Sequence, residues 1–420
     1  MRFSAAPGPL ELLRVRFAAV PDIRSAGHVL HAIDEVFIIA LCSMLSDNDA
    51  FTDMEQFARS QMPLLRTFLP MPHGPPSHDI FRNVFMAIKP QALLLIMADG
   101  CGDFSSLQIM IDGKALRGTA TASRQGMVHV LRAWVHEAGL SAGHAVCSEK
   151  SNELTALPQL LAMLELKGTL VSIDAMGTHP DISALIHEAG GDYLLALKAN
   201  QKGAMEAVVA HFAELDAAAG YTAEAATCGL HPGNVLGPGP LAPGHRVILS
   251  HGRYERRLCT VPGNLDFFHK SWKWPGLQSV MLIIRTTHRG GKGGNQSGEP
   301  TVETHYYLSS LPPDAEVLAI RIRAHWAVES AHRVLDLTFG EDYCQVGDRT
   351  AAHNLCLLRE TSSKVLRGHL PKKSIRSKRK RAALDPDFRT GLLSSIPITS
   401  VRKPCQSFTL PKIPACQNPT

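Results

Sequence analysis

Two aspartates close strongly apolar runs in this 420-residue chain: Asp112 after Leu107-Gln108-Ile109-Met110-Ile111, and Asp174 after Leu170-Val171-Ser172-Ile173. A third carboxylate, Glu329, follows His325-Trp326-Ala327-Val328 in a stretch with helical spacing. Carboxylates are hard oxygen ligands. Three of them, carried by two strands and a helix, make a donor set able to hold a pair of magnesium ions against a phosphodiester. Each residue also has a plainer reading. A strand-end aspartate serves as a turn residue or helix cap, and a glutamate among Val328, His332, Arg333 and Leu335 serves as a solvated surface charge.

Lys114 and Arg117 follow the first aspartate closely, and Lys198, Asn200 and Gln201 follow the apolar run Tyr193 to Leu197. These cationic and polar groups would collect near one sheet edge, where they suit a scissile phosphate and its neighbours, or serve as ordinary loop polar residues. His179 and His325 are candidates for a proton shuttle or a phosphate contact; the alternative for both is a structural role.

The elements that must position these groups are legible in the periodicity. His31 to Leu45, Asp53 to Phe68 and Ile80 to Ile88 have helical spacing, the last behind an N-cap at Ser77-His78-Asp79, and the Pro- and Gly-rich Leu69 to Pro76 separates them. From Leu107 the pattern turns to short strands, namely Leu107 to Ile111, Met127 to Val135 and Leu140 to Cys147. Then come a helix over Thr155 to Leu166, a strand over Thr169 to Ile173, a helix over His179 to Ala189 and a strand over Tyr193 to Leu197. The order β-β-β-α-β-α-β predicts an α/β fold with a ribonuclease H-like mixed sheet, three antiparallel strands continued by parallel ones.

Residues 202–313 read as a β-rich insertion into that core. It has a helix over Ala204 to Ala219, a Gly/Pro-rich loop over Leu230 to Pro243 and strands over Arg246 to Ser250, Arg256 to Val261, Leu277 to Thr287 and Thr301 to Leu308. The glycine-rich, polar Arg289 to Glu299 reads as a mobile loop between the last two. Helical spacing returns over Asp314 to Phe339. The expected division is therefore an N-terminal helical domain (1–105), a core in two parts (106–201 and 314–365) around the insertion, and a basic, disordered tail (366–420).

Composition bounds the rest. With 45% hydrophobic residues the chain is long enough for two or three units with a sizeable core. It holds no uncharged apolar run of about 18 residues, and Met1 to Pro7 lacks the pattern of a secretory signal, which leads to the expectation of a cytoplasmic protein with no membrane contact. Nine cysteines without a CxxC pair read as reduced thiols, not as a zinc site or disulfide framework. The formal charge is +5, yet Lys364 to Arg381 contains nine basic residues and no acid, so the remainder is net negative. Such a segment, with Lys378, Arg379, Lys380 and Arg381 at its end, suits a polyanion such as a DNA backbone; a solvated tail is the plainer reading.

Taken together, Ile111-Asp-Gly-Lys-Ala-Leu-Arg-Gly-Thr119, Glu149-Lys-Ser-Asn-Glu153, Val171-Ser-Ile-Asp-Ala-Met-Gly177 and Asp192-Tyr-Leu-Leu-Ala-Leu-Lys-Ala-Asn-Gln201 resemble, in order and spacing, the ISAs1 family of bacterial insertion-sequence transposases. His325-Trp326 through Glu329 to Leu335-Asp336, Phe339-Gly-Glu-Asp342 and Asn354 to Arg359 continue the resemblance. Ile38 to Cys42 and Pro76 to Asp79 are similar to the helical domain that accompanies such proteins. The resemblance implies a DDE catalytic triad of Asp112, Asp174 and Glu329 that binds two Mg2+ ions, with Mn2+ as a substitute. It implies cleavage and strand transfer on double-stranded DNA carrying terminal inverted repeats, a homodimer or higher oligomer when two ends are brought together, and a nucleoid-associated place in the bacterial cytoplasm. The alternative is a degenerate, non-catalytic copy that still binds DNA. One departure bears on this choice: the spacing from Glu329 to Leu335-Asp336 is one residue shorter than the family pattern, and one residue turns a helix by about 100°.

Overall fold

The computed structural model describes residues 8–396, except 23, 25–28, 99–105, 123–125, 136–139, 148–152, 219–243, 251–252, 269–271 and 290–300. The expected loops over Leu230 to Pro243 and Arg289 to Glu299 fall almost wholly outside the described residues. So do most of the Glu149 to Glu153 motif and everything beyond residue 396.

Among the described residues a single nine-stranded sheet organises the part of the chain between residues 108 and 309. Its strands are β1 (Gln108–Leu116), β2 (Val128–Val135), β3 (Leu140–Cys147), β4 (Leu170–Ile173), β5 (Asp192–Leu197), β6 (Gly244–Ser250), β7 (Arg253–Thr260), β8 (Ser279–Arg289) and β9 (Thr301–Ser309). Their order across the sheet is β3-β2-β1-β4-β5-β9-β8-β7-β6. β1, β2 and β3 are antiparallel neighbours, while β4 runs parallel to β1 and β5 parallel to β4. This is the expected ribonuclease H-like arrangement. The insertion does not stand apart as a separate sheet: β9 pairs antiparallel with β5, and β8, β7 and β6 continue from it by further antiparallel pairs.

Both faces of the central strands are covered, which is why β1, β2 and β4 read as nearly continuous apolar runs. On one face Ile109, Ile111, Val171, Ile173 and Leu195 pack with Leu157 and Leu160 of the helix Glu153–Ala162, Ile182 and Ile186 of the helix Pro180–Glu188, and Val208 and Phe212 of the helix Lys202–Ala218. The other face is crossed by one long helix, Ala315–Phe339. Its Ala315, Leu318 and Ile322 sit on Leu170, Leu194, Met281, Ile283 and Tyr307, and its Val328 and Ala331 on Met110 and Trp134. Asp314 caps its first turn by accepting from the amides of Glu316 and Val317, and Gly340, at φ +58°, ends it in the left-handed conformation.

The helical half differs from the expected division of the chain. Helices Pro9–Ala18, Ile33–Leu45, Phe51–Ser60 and His78–Ala87 share one core with Leu355, Leu358 and Leu366 of the helix Arg349–Gly368 and with the end of the long helix at Phe339. Every residue of Ile33–Leu45 is buried, as befits a helix apolar on nearly all sides. Where the sequence predicts a disordered basic tail, helices Ile375–Leu384 and Pro386–Ser394 pack Ala382, Phe388, Leu392 and Leu393 into this same core. Their apolar positions meet a surface made far upstream, so the local charge density did not govern the outcome. Among the described residues no helix is long and apolar enough to cross a membrane, and the five described cysteines form no disulfide and are buried.

Candidate active site

Asp112 lies within β1 and Asp174 directly after β4. Ile111 stands across from Ile173 in the parallel pairing, so the two aspartates follow as neighbours at the point where the strands part. Each is two residues beyond a side chain packed toward the long helix, Met110 in one strand and Ser172 in the other, and strand alternation puts both carboxylates on that helix's side. The floor beneath them is hydrogen-bonded rather than merely apolar. Gln108 Nε2 donates to Ser172 Oγ at 3.0 Å and to the Arg321 carbonyl at 2.9 Å, and His325 Nδ1 lies 3.0 Å from the same Ser172 Oγ. These bonds pin the helix over β1 and β4. His325, lowered by burial to about 4, is neutral at neutral pH and is a structural residue of this floor.

The two carboxylates differ in environment. Burial raises the Asp112 carboxyl, but the hydrogen bond and charge of His332 (Nδ1 to Asp112 Oδ2, 3.2 Å) and the Gly113 amide outweigh it, so the group is held below its ordinary value. Asp174 is raised, first by burial and then by the charge of Asp112, against the opposing pull of Lys198 and the amides of Gly177 and Met176. A pair of carboxylates in which one ionises easily and the other resists is a site where a divalent cation relieves the repulsion.

Glu329 projects from the same side of the helix as His325 and His332, one turn from each, and is exposed. The helix is unbroken across the position where the sequence is one residue short of the family pattern, with His325, Val328, Ala331, Leu335 and Phe339 buried in one stripe. His332 is the helix residue in contact with Asp112. Among the described residues no three His, Cys, Asp or Glu side chains converge tightly enough to hold a metal ion, so the structure brings the two aspartates together and leaves Glu329 standing off.

The flanking polar residues divide by role. Lys114 Nζ is held by Asp336 (2.6 Å) and Asp342 (3.0 Å) and is mostly buried, whereas the Arg117 side chain is exposed, 3.7 Å from Asp342. Lys198 is exposed at the end of β5, and its charge reaches Asp174. Asn200 donates to the carbonyl of Ala175 at 2.7 Å and Gln201 to that of Thr178 at 3.1 Å, so both brace the short turn Ala175–Gly177 that follows Asp174. His179 caps the helix Pro180–Glu188 by accepting from the Asp181 amide. Gly118 lets the end of the first motif press against Glu341–Tyr343 and Cys344: a Cβ there would stand 2.6 Å from the Cys344 carbonyl oxygen and 2.8 Å from that of Asp342.

Lys378 and Arg379 do not face outward as a basic tail would. The Lys378 ammonium donates to the carbonyls of Leu366 and His369, and the fully buried Arg379 guanidinium binds Met44 and Thr338 carbonyls, Asp47 and Asp49, over the Phe339 ring. Lys380 and Arg381 are exposed, Arg381 pairing with Asp385 at 3.1 Å.

A buried ionic cluster behind Asp112 escaped the sequence reading. Arg132 stands directly across from Asp112 and His144 directly across from Arg132. Arg132 binds Glu341 at 2.6 Å and Glu360 at 2.7 Å, and His144 Nε2 lies 2.9 Å from Glu360. Burial raises Glu360, but His144 and Arg132 outweigh it and keep the carboxylate ionised. The signal for it was a charged residue in the middle of the otherwise apolar β2, since a buried arginine requires a buried acid.

Comparison with known proteins agrees with this geometry. Residues 105–361 match the model of the transposase DDE domain, and residues 15–98 match that of the domain associated with it. The "H repeat-associated putative transposase YhhI" of Escherichia coli K12 is 30% identical over 396 residues, 92% of this chain and 98% of that protein. YncI of Escherichia coli O157:H7 is 30% identical over 386 residues, 90% of this chain and 93% of that protein. A domain model that spans the paired aspartates and most of the sheet, together with relatives aligned over nearly the full length, places this chain in the DDE transposase family.

Proposed function

We propose that this protein is a metal-dependent DNA transposase that binds the terminal inverted repeats of an insertion sequence, cuts at its ends and joins them to target DNA. The observation that carries the reading is the position of Asp112 and Asp174, each one residue beyond the last registered pair Ile111 and Ile173 of the adjoining parallel strands, on the face crossed by the helix that bears Glu329. Asp112, Asp174 and Glu329 are the proposed ligands of two Mg2+ ions, with Mn2+ able to replace them; the oxygen donors suit hard cations, and the repulsion between the aspartates is what such ions would relieve. When bound, the ions supply Lewis-acid stabilisation of the phosphate oxygens and a nucleophile available at neutral pH. The chain's own groups do the positioning. His332 keeps Asp112 ionised and oriented, Asn200 and Gln201 hold the turn after Asp174, and Lys198 and Arg117 offer cations to the phosphates on either side. Bringing two DNA ends together calls for a homodimer or higher oligomer, and a DNA substrate for a place at the bacterial nucleoid.

The test is Mg2+- or Mn2+-dependent cleavage of a duplex carrying the element's ends, compared with Asp112→Ala and Asp174→Ala. Wild type that cuts no better than the two variants sinks the catalytic reading. A second reading, a non-catalytic DNA-binding copy, is favoured by a specific observation: His332, not Glu329, meets Asp112 where the helix is one residue short. It predicts binding of the same duplex without any metal-dependent product.

A further inference from the structure

The helix His78–Ala87 has two unlike faces. Phe81, Val84 and Phe85 are fully buried, with Phe85 against the rings of Phe37 and Phe51 at centroid distances of 5.3 and 5.4 Å. Asp79, Arg82, Asn83 and Met86 are exposed, at the spacing that lines four side chains along one side of a helix. Among the described residues the side chains of Arg82 and Asn83 have no hydrogen-bond or ionic partner, and Asp79 stands 3.7 Å from a His78 ring nitrogen. The packing of the helix makes no use of this row.

Both ends of the helix are pinned. At its start Glu55 of the helix Phe51–Ser60 accepts from the His78 amide at 2.8 Å and lies 2.7 Å from His78 Nδ1, while Arg59 holds the same carboxylate at 2.7 Å. At its end Asn354 Nδ2 donates to the carbonyls of Phe85 and Ile88, both at 2.8 Å. Asn354 belongs to the helix Arg349–Gly368, which also carries Glu360, the partner of the Arg132 that stands across from Asp112. The exposed row is thus tied through one rigid helix to the strand that bears the first aspartate.

The row holds side chains suited to base edges in a major groove: arginine pairs with guanine, asparagine with adenine, aspartate accepts from the cytosine amino group, and an apolar side chain meets the thymine methyl. A ten-residue helix is about 15 Å long, and the groove, about 12 Å wide, admits a helix. Lys89, exposed two residues past the helix, and Arg59, beside its start, are placed for the flanking phosphates. A protein partner would need an apolar centre to the contact, and the row offers one methionine, Met86, at 37% exposure. We infer that the helix His78–Ala87 enters the major groove of DNA and reads its sequence, with Arg82 and Asn83 as the principal base contacts. The inference rests on the DNA reading above and adds which residues supply the preference for the element's ends.

The experiment uses the full chain in EDTA and two fluorescein-labelled duplexes of about 40 base pairs, one from the element's end and one of the same composition in shuffled order, with binding read by anisotropy over a range of salt. Wild type is expected to prefer the end duplex. Arg82→Ala/Asn83→Ala is expected to bind that duplex at least about tenfold more weakly and the shuffled one unchanged, because base contacts specify while phosphate contacts only position. Lys89→Ala should weaken both duplexes alike and make the slope of log K against log salt shallower by about 1. If the double variant does not fold, Arg82→Gln replaces it with the same expected loss of preference. Wild-type preference in a folded variant, or an equal loss on both duplexes, overturns the inference and leaves the transposase reading standing. So does a changed oligomeric state with the preference intact, which would mark the row as a contact between copies. A wild type with no preference for the end duplex removes the inference and the end-binding reading together. Because no metal is present, a wild type that reads the end through Arg82 and Asn83 but never cleaves supports the inference and removes only the catalytic reading.

Discussion

Replacing Asp174 by Asn removes the charge of this carboxylate while preserving its shape. In-register neighbours on paired strands stand about 4.8 Å apart. Two unit charges at roughly 5 Å repel by about 1 kcal/mol at the dielectric of water and by about 3 kcal/mol at an effective value near 20. Asp112 is held ionised beside His332, and Asp174 is partly buried with its carboxyl raised, so the metal-free protein carries repulsion of this order at pH 7. Asn is as good an N-cap as Asp for the turn that follows. Asp174→Asn should therefore stabilise the metal-free protein by roughly 1–2 kcal/mol, read as a shift of the urea midpoint at unchanged slope. A carboxyl whose folded value lies above its unfolded value of 3.8 costs stability while ionised, and this cost fades as the pH falls through the folded value. The gain should therefore vanish near pH 4. Mn2+ should reverse the order, because a ligand at 100 times its Kd adds about 2.7 kcal/mol to a protein that binds it, and the variant loses a ligand oxygen and its charge. A variant no more stable than wild type in EDTA at pH 7, or equal stabilisation of both by Mn2+, would refute the reasoning.

Three further outcomes follow from the packing. Glu360→Gln strips the charge that Arg132 and His144 share in a fully buried setting and should cost about 3 kcal/mol in chemical denaturation; a cost below about 1 kcal/mol would mean that the cluster is not the strut it resembles. His325, neutral in the fold with its value lowered to about 4 against an ordinary 6.5, contributes stability that is present above pH 6.5 and lost as the pH falls toward 4. Wild type should lose about 2 kcal/mol between pH 7 and 5 from this group, and His325→Asn should flatten that part of the profile. Gly118→Ala forces a Cβ against two backbone carbonyl oxygens and should cost about 1–3 kcal/mol in a thermal melt, with an unchanged melting temperature as the contrary result.

The first five strands and the helices between them were legible because their signals are local: period-2 and period-3.6 runs punctuated by Gly and by charged breaks. The aspartates were legible for the same reason, each at the end of an apolar run. β1 nonetheless continues through Gly113 and Lys114 to Leu116, five residues past the predicted end at Ile111, because β2 pairs with it along that whole length. The C-terminal helices were misread in the opposite direction. Nine basic residues within Lys364 to Arg381 read as a solvated polyanion binder, yet Arg379 finds its partners Asp47, Asp49 and Met44 some 330 positions earlier in the chain. No window of sequence contains both ends of such a contact.

By itself the sequence determined the fold class, the family and the two strand-borne aspartates, since these depend on side-chain periodicity and on short motifs whose residues are close in the chain. Tertiary structure alone decided which helix residue faces Asp112, that Lys114 and Arg379 hold the fold together instead of meeting solvent, and that Arg132 is locked behind the site by Glu341 and Glu360. The physical reason is that a buried charge is tolerable only beside its counter-charge, and the chain supplies that partner from hundreds of residues away.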